Sequence, residues 1–208
     1  MVRMSRSQAP PSWNTAAREA MRTRITDAAL ALFVAHGYEA TTYDQIAERA
    51  GVARRTVFNH FPRKADILAV WSDHRRTALA TANREDRARH LTAQQTLRDL
   101  MRRLALINES DAALARVLVS GWLTEYGRVA EPFPVFDAFK AALEAGRADG
   151  ELKAELSTDA AAEILTSSYT DTLQRWLGSP TGHTETGDLE RRLLEKLDIV
   201  LLGIARPE

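Results

Sequence analysis

Ten residues, VARRTVFNHF, separate Gly51 from Pro62. Glycine commonly ends a helix and proline cannot continue one, so any helix between them is too short to be stable alone in water. Its neighbours must supply the missing free energy. Val57 and Phe61 are the residues that can pack inward. That leaves Arg54, Arg55, Thr56, Asn59 and His60 facing out, with Arg63 and Lys64 just beyond. A short helix with a basic, polar outer face is suited to the major groove of DNA, where its first side chains reach base edges.

The surrounding sequence supplies the supports. A first helix is expected over about Arg18 to His36, with Ile25, Ala28, Ala29, Leu32 and Phe33 as its apolar stripe and Gly37 as its stop. A second starts at Thr42, where Thr42-Tyr43-Asp44-Gln45 has the form of a capping box, and ends at Gly51. Ala47, Gly51 and Val57 then fall at the spacing of a helix-turn-helix. The first helix needs a small residue at the crossing, the turn a residue that accepts positive φ, and the second helix a branched anchor. Ile46, Ala50 and Val52 complete its interior.

The string LFVAHGYEATTYDQIAERAGVARRTVFNHFPRKADIL resembles the DNA-binding region of the TetR family of bacterial transcriptional regulators. Three elements of that family's pattern occur in order, at Gly37–Thr42, Ile46–Val52 and Thr56–Lys64, and the likeness covers about residues 22 to 70. It implies an all-α fold: a flexible arm over residues 1–16, a three-helix DNA-binding domain over 17–63, and a ligand-binding and dimerisation domain over 64–208, about nine helices in all. It implies base contacts from Arg54, Arg55 and Phe58, and phosphate contacts from Thr42, Thr56, Asn59, His60 and Lys64. Three residues depart from the family pattern: Phe58 stands where tyrosine is usual, Ala53 where a serine or threonine cap is common, and Arg63 where serine or asparagine is common.

Beyond Lys64 the chain continues to read as helices, without sustained period-two alternation. A fourth helix from Lys64 to about Ala82 leads into a charged tail, NREDRARH. Helices are expected over about Thr92–Asn108, Asp111–Arg128, from beyond Pro134 to Ala148, from a Ser157 cap to Gly178, and over Asp188–Ala205. Aromatic residues gather in this part: Trp71, Trp122, Tyr126, Phe133, Phe136, Phe139, Tyr169 and Trp176. Plain core is one reading; the other is a cavity for a small apolar or aromatic effector, with Asn108, Glu125 and Arg128 as candidates to orient it. The resemblance places such a site among helices four to seven. The eighth and ninth helices carry wide apolar stripes, Ile164, Leu165, Thr172, Leu173 and Trp176 on one and Leu189, Leu193, Leu197, Val200, Leu201 and Ile204 on the other. The resemblance implies a homodimer through them, which suits a palindromic operator read by two recognition helices about 34 Å apart.

Charge follows the same division. Residues 1–64 hold ten lysines and arginines against five acidic residues, and the remainder eighteen against twenty-three, although the whole chain is neutral. A basic head and an acidic body suit a polyanion at one end only. The chain has no cysteine, which excludes disulfides, thiol catalysis and thiolate metal sites. Gly-x-Ser-x-Gly, His-Glu-x-x-His and phosphate-cradling glycine loops are absent, and the five histidines lie far apart. Neither an enzyme nor a cofactor or metal is expected. No apolar run approaches the ~20 residues of a membrane span, and the opening MVRMSRSQAPPSWN lacks the apolar core of a signal peptide, so a cytoplasmic location is expected. The expected function is a ligand-responsive DNA-binding regulator, in this family most often a repressor. The alternative is a ligand-binding or interaction protein of the same fold that activates or does not bind DNA.

Overall fold

The computed structural model describes residues 12–126, 135–178 and 187–204, and every regular element among them is an α-helix. They are α1 (Ser12–His36), α2 (Tyr43–Ala50), α3 (Arg54–His60), α4 (Ala65–Ala88), α5 (Ala93–Ser110), α6 (Ala112–Tyr126), α7 (Phe136–Ala148), α8 (Thr158–Leu177) and α9 (Asp188–Ile204). The chain divides into two compact units, Met1–Ile67 and Leu68–Glu208.

In the first unit the stripe of Ile25, Ala28, Ala29, Leu32 and Phe33 is buried as expected. Gly37, at φ 87°, ends α1, and its N–H donates to the Phe33 carbonyl at 2.8 Å. The expected start at Arg18 and the arm over 1–16 need correction, because α1 begins at Ser12. Its first turns lie in solvent, with residues 15–20 all exposed. They carry no apolar periodicity to betray them; alanine-rich propensity after Pro11 extends the helix. Residues 1–11 of the expected arm lie outside the described residues.

The capping box at α2 is formed: the Gln45 N–H donates to Thr42 Oγ1 at 3.3 Å and the Thr42 N–H to Gln45 Oε1 at 2.8 Å. Gly51 takes the left-handed conformation, φ 62° and ψ 42°, and its N–H closes on Ala47 and Glu48 carbonyls. That turn sends the chain into α3. Ala53 sits at the N-cap in extended geometry, φ −69° and ψ 145°, with no side-chain hydrogen bond. The backbone is therefore already set for a capping hydroxyl that alanine does not supply. Ala53→Ser is expected to stabilise the first unit by about 1 kcal/mol, read as a higher thermal midpoint; an unchanged or lowered midpoint would show that α3 does not need the cap.

In the second unit α5, α7, α8 and α9 pack around a core that contains Phe139, Tyr169, Leu173 and Leu197. α5 has a capping box of its own, Thr92 with Gln95, and the Glu151 carboxylate takes the Ala93 N–H at 2.6 Å. Gly146 is required where α7 meets the start of α5, since a Cβ there would overlap the Ala93 methyl. The tail after Ala82 belongs to α4, which runs to Ala88 and closes through His90 at φ 56°. Ser157 caps α8 by accepting from the Ala160 N–H at 3.3 Å. The Pro132–Pro134 interruption and the loop over 179–186 lie outside the described residues.

Candidate nucleic-acid interface and effector site

α3 has seven residues and is held from behind. Val57 and Phe61 are fully buried, and burying a valine contributes about 1.5–3 kcal/mol. Its end is clamped by polar groups as well. Arg22 donates to the His60 carbonyl at 3.0 Å while lying over the Phe61 ring, and the Tyr43 hydroxyl donates to the Phe61 carbonyl at 3.0 Å. Arg24 donates to the Gly51 carbonyl at 3.3 Å. Arginines at orphan carbonyls are favourable on charge and hydrogen-bonding grounds together. Packing and these clamps replace the stability that length and capping do not provide.

The outward face carries Arg54, Arg55, Phe58 and Asn59, all exposed. Arg55, Phe58 and Asn59 share one side of the helix by their 3- and 4-residue spacing. Arg54 pairs with Asp44 at 3.4 Å, both side chains two-thirds exposed; such pairs are weak and readily exchanged for a phosphate or a base edge. Phe58 is 56% exposed, its ring 6.3 Å from that of Tyr43. An apolar ring kept in water beside two arginines suits contact with a thymine methyl.

Four of the expected phosphate donors are engaged or half-buried within the first unit. Lys64 Nζ donates to the carbonyls of Tyr38, Glu39 and Thr41 at 2.7, 3.1 and 3.0 Å and lies over the Tyr38 ring. An ammonium has three N–H groups, so this lysine ties the start of α4 to the α1–α2 turn. His60 is half-buried, and its Nδ1 is buried without a hydrogen-bond partner among the described residues. Burial, and then the nearby Arg18 and Arg22, push its pKa below the usual 6.5. The Thr42 hydroxyl is exposed but already engaged with Gln45, and Thr56 is half-buried.

In the second unit none of the expected aromatics among the described residues lines the cavity described below. Phe139, Tyr169 and Trp176 are core residues, Trp122 is buried and Phe136 half-buried against the core. Phe133 and Arg128 lie outside the described residues, as does the side chain of Tyr126. Glu125, on the last turn of α6, is exposed. A cavity of about 320 Å³ lies instead among α4, the start of α5 and α7. Alanines of α7 (138, 141, 142 and 145) form its floor, and Arg76, Arg84 and Arg87 of α4 stand along its rim. Small side chains leave this space, a signal that a search for aromatics passes over.

A second feature was not foreseen. The buried stripe of α4 is Leu68, Ser72, Arg75, Leu79, Ala82 and Asp86. Three polar residues at core spacing in an amphipathic pattern are the sequence signal for it. Arg75 lies against the Trp71 ring, 4.4 Å from its centroid, and donates to the Tyr169 hydroxyl at 3.3 Å and to Asn108 Oδ1 at 3.4 Å. Asn108 in turn donates to Tyr169 at 3.0 Å and to the Leu104 carbonyl at 2.6 Å.

Comparison with known proteins follows the same geography. Residues 25–70 match the domain described as bacterial regulatory proteins, tetR family. Over 50 residues the chain is 52% identical to the HTH-type transcriptional regulator SrpR of Pseudomonas putida, a stretch covering 24% of each protein. The chain thus spans about a quarter of that curated relative, and 35% of a second one, TtgW, from the same species. The repressor KstR2 of Rhodococcus jostii matches at 27% identity over 95% of this chain and 98% of its own length. Among solved structures, Thermus thermophilus FadR, a TetR-family repressor in complex with lauroyl-CoA, superposes with a TM-score of 0.69 and 28% identity, covering 90% of this chain and 96% of that one. SmeT, the repressor of a Stenotrophomonas maltophilia multidrug efflux pump, does so with a TM-score of 0.71 and 25% identity over 91% and 92%. The helix-turn-helix built on Thr42, Gly51 and Val57 and these likenesses agree: residues 25–70 form a domain of the tetR family of bacterial regulatory proteins, and the chain as a whole is similar to TetR-family repressors.

Proposed function

We propose that the protein is a homodimeric transcriptional repressor that grips a palindromic operator through two copies of α3 and lets go when a small, mainly apolar effector occupies the second unit. The observation that carries this reading is the division of α3. Its inner residues, Val57 and Phe61, are fully buried, while Arg54, Arg55, Phe58 and Asn59 stand in solvent on a helix too short to exist for its own sake. The effector part rests on the alanine-floored cavity, and on the lauroyl-CoA held by the Thermus thermophilus relative. Dimerisation is assigned to α8 and α9, where Ile164, Ile199 and Leu202 are 56%, 71% and 85% exposed. Of these, the sequence stripes include Ile164 alone; Leu189, Leu193, Leu197 and Leu201 turn inward.

Helix α4 is unbroken from Ala65 to Ala88, so its first turn belongs to the first unit and the residues around Arg75 to the second. An effector that moves α4 would re-aim α3. A coupling of about 1–3 kcal/mol gives a roughly 5- to 150-fold loss of operator affinity. The test begins with duplexes selected by the protein from a random pool. Selection of a palindrome, with affinity that falls steeply as salt rises, is the expected result. Enrichment of no sequence would remove the regulator reading.

A further inference from the structure

We infer that the effector carries a carboxylate, and that Arg75 is the group that receives it. The inference rests on the ligand-responsive reading above and adds the chemical class of the ligand; it seats the effector's charged end at Arg75, which does not line the alanine-lined cavity, rather than in that cavity. Arg75 is only 7% exposed, yet no acidic side chain among the described residues pairs with it. The buried acid on its own helix is Asp86, eleven residues on and about 16 Å along the axis, and that carboxylate is already paired with Arg103 and Arg89. Guanidinium groups keep their charge inside proteins, and a buried charge without a counter-ion is a disfavoured arrangement that folds normally avoid.

The surroundings are built to hold this cation and leave it incomplete. Trp71 covers one face of the guanidinium, and Tyr169 and Asn108 take two of its five N–H groups at long distances. The other three have no acceptor among the described residues. One helical turn away on α4, the hydroxyl of Ser72 is buried and without a hydrogen-bond partner, and one turn from Tyr169 on α8 the hydroxyl of Thr166 is in the same condition. Hydroxyls without partners, one helical turn from Arg75 on α4 and one turn from its partner Tyr169 on α8, are complementary to a planar anion on an apolar body. A carboxylate matches the guanidinium fork with two parallel hydrogen bonds, and the hydroxyls can serve its remaining lone pairs.

The experiment uses the full chain and matched series of straight-chain carboxylates and alcohols, acetate to decanoate against ethanol to decanol. Binding is read from tryptophan emission, with Trp71→Phe to assign the signal, and from thermal shift. At the chain length that fits, the carboxylate is expected to bind roughly 10- to 100-fold more tightly than the alcohol. Arg75→Met should erase that preference, Arg75→Lys should keep part of it, and Ser72→Ala should weaken the carboxylate alone; circular dichroism shows that each variant is folded. Equal binding of acid and alcohol at every length, or an acid preference that survives in a folded Arg75→Met protein, overturns the assignment. Release of a selected duplex is followed on the same samples. Acid binding through Arg75 without release upholds the site and defeats the repressor mechanism. Release by neutral compounds, equal in wild type and Arg75→Met, does the reverse.

Discussion

Replacing Arg55 by alanine is expected to weaken binding to the preferred duplex by about 1–3 kcal/mol, roughly 5- to 150-fold, with little change in folding stability. Arg55 is exposed and makes no hydrogen bond or ion pair among the described residues, so its removal should leave the first unit folded. The loss should concentrate at one base pair of each half-site, because a bidentate arginine contact with guanine discriminates between bases while a phosphate contact does not. Arg54→Ala should have a smaller effect on the fold-change scale, since Arg54 already shares its charge with Asp44, and it should lower the salt dependence as well. Anisotropy titrations against the selected duplex and a set of single-base variants measure both. A uniform loss over all sequences after Arg55→Ala would move this residue from base reading to the phosphate backbone.

A double change, Ile199→Glu with Leu202→Glu, should yield a folded monomer by light scattering. Both side chains are exposed and lie on one side of α9, three residues apart, so two carboxylates there cost little within a single chain. Across a twofold interface the same groups would face their own copies, or apolar surface, and oppose association. With one recognition helix per particle, affinity for the selected duplex should collapse toward the non-specific level, by about 1,000-fold or more. Leu106→Glu on α5, another exposed leucine, provides the contrast. A dimer that survives the α9 change and falls apart with Leu106→Glu would place the interface on α5.

Where residues act on near neighbours, the sequence was sufficient. Thr42 with Gln45, Gly51 at positive φ, the bare N-cap at Ala53 and the Ser157 cap all follow from three- and four-residue rules, and the structure bears each of them out. Roles that depend on distant partners were less legible. Lys64 reads as a phosphate ligand until the carbonyls of Tyr38, Glu39 and Thr41 are found around it, more than 20 residues away in sequence. His60 reads as an outward donor, and only the fold shows its ring half-buried with Nδ1 unpartnered among the described residues. The effector cavity escaped notice because small residues define it, and a run of alanines reads only as helix propensity. Arg75 escaped for a different reason: a lone arginine in a helix is ordinary, and only its register with Leu68, Ser72 and Leu79 marks it as buried.

The bonds of Lys64 have a mechanical meaning. Three carbonyls around one ammonium fasten the opening turn of α4 to the bend in front of α2, and α2 leads through Gly51 directly into the groove-reading helix. The residue that opens onto α4 and the α1–α2 bend are thereby braced against each other within the first unit.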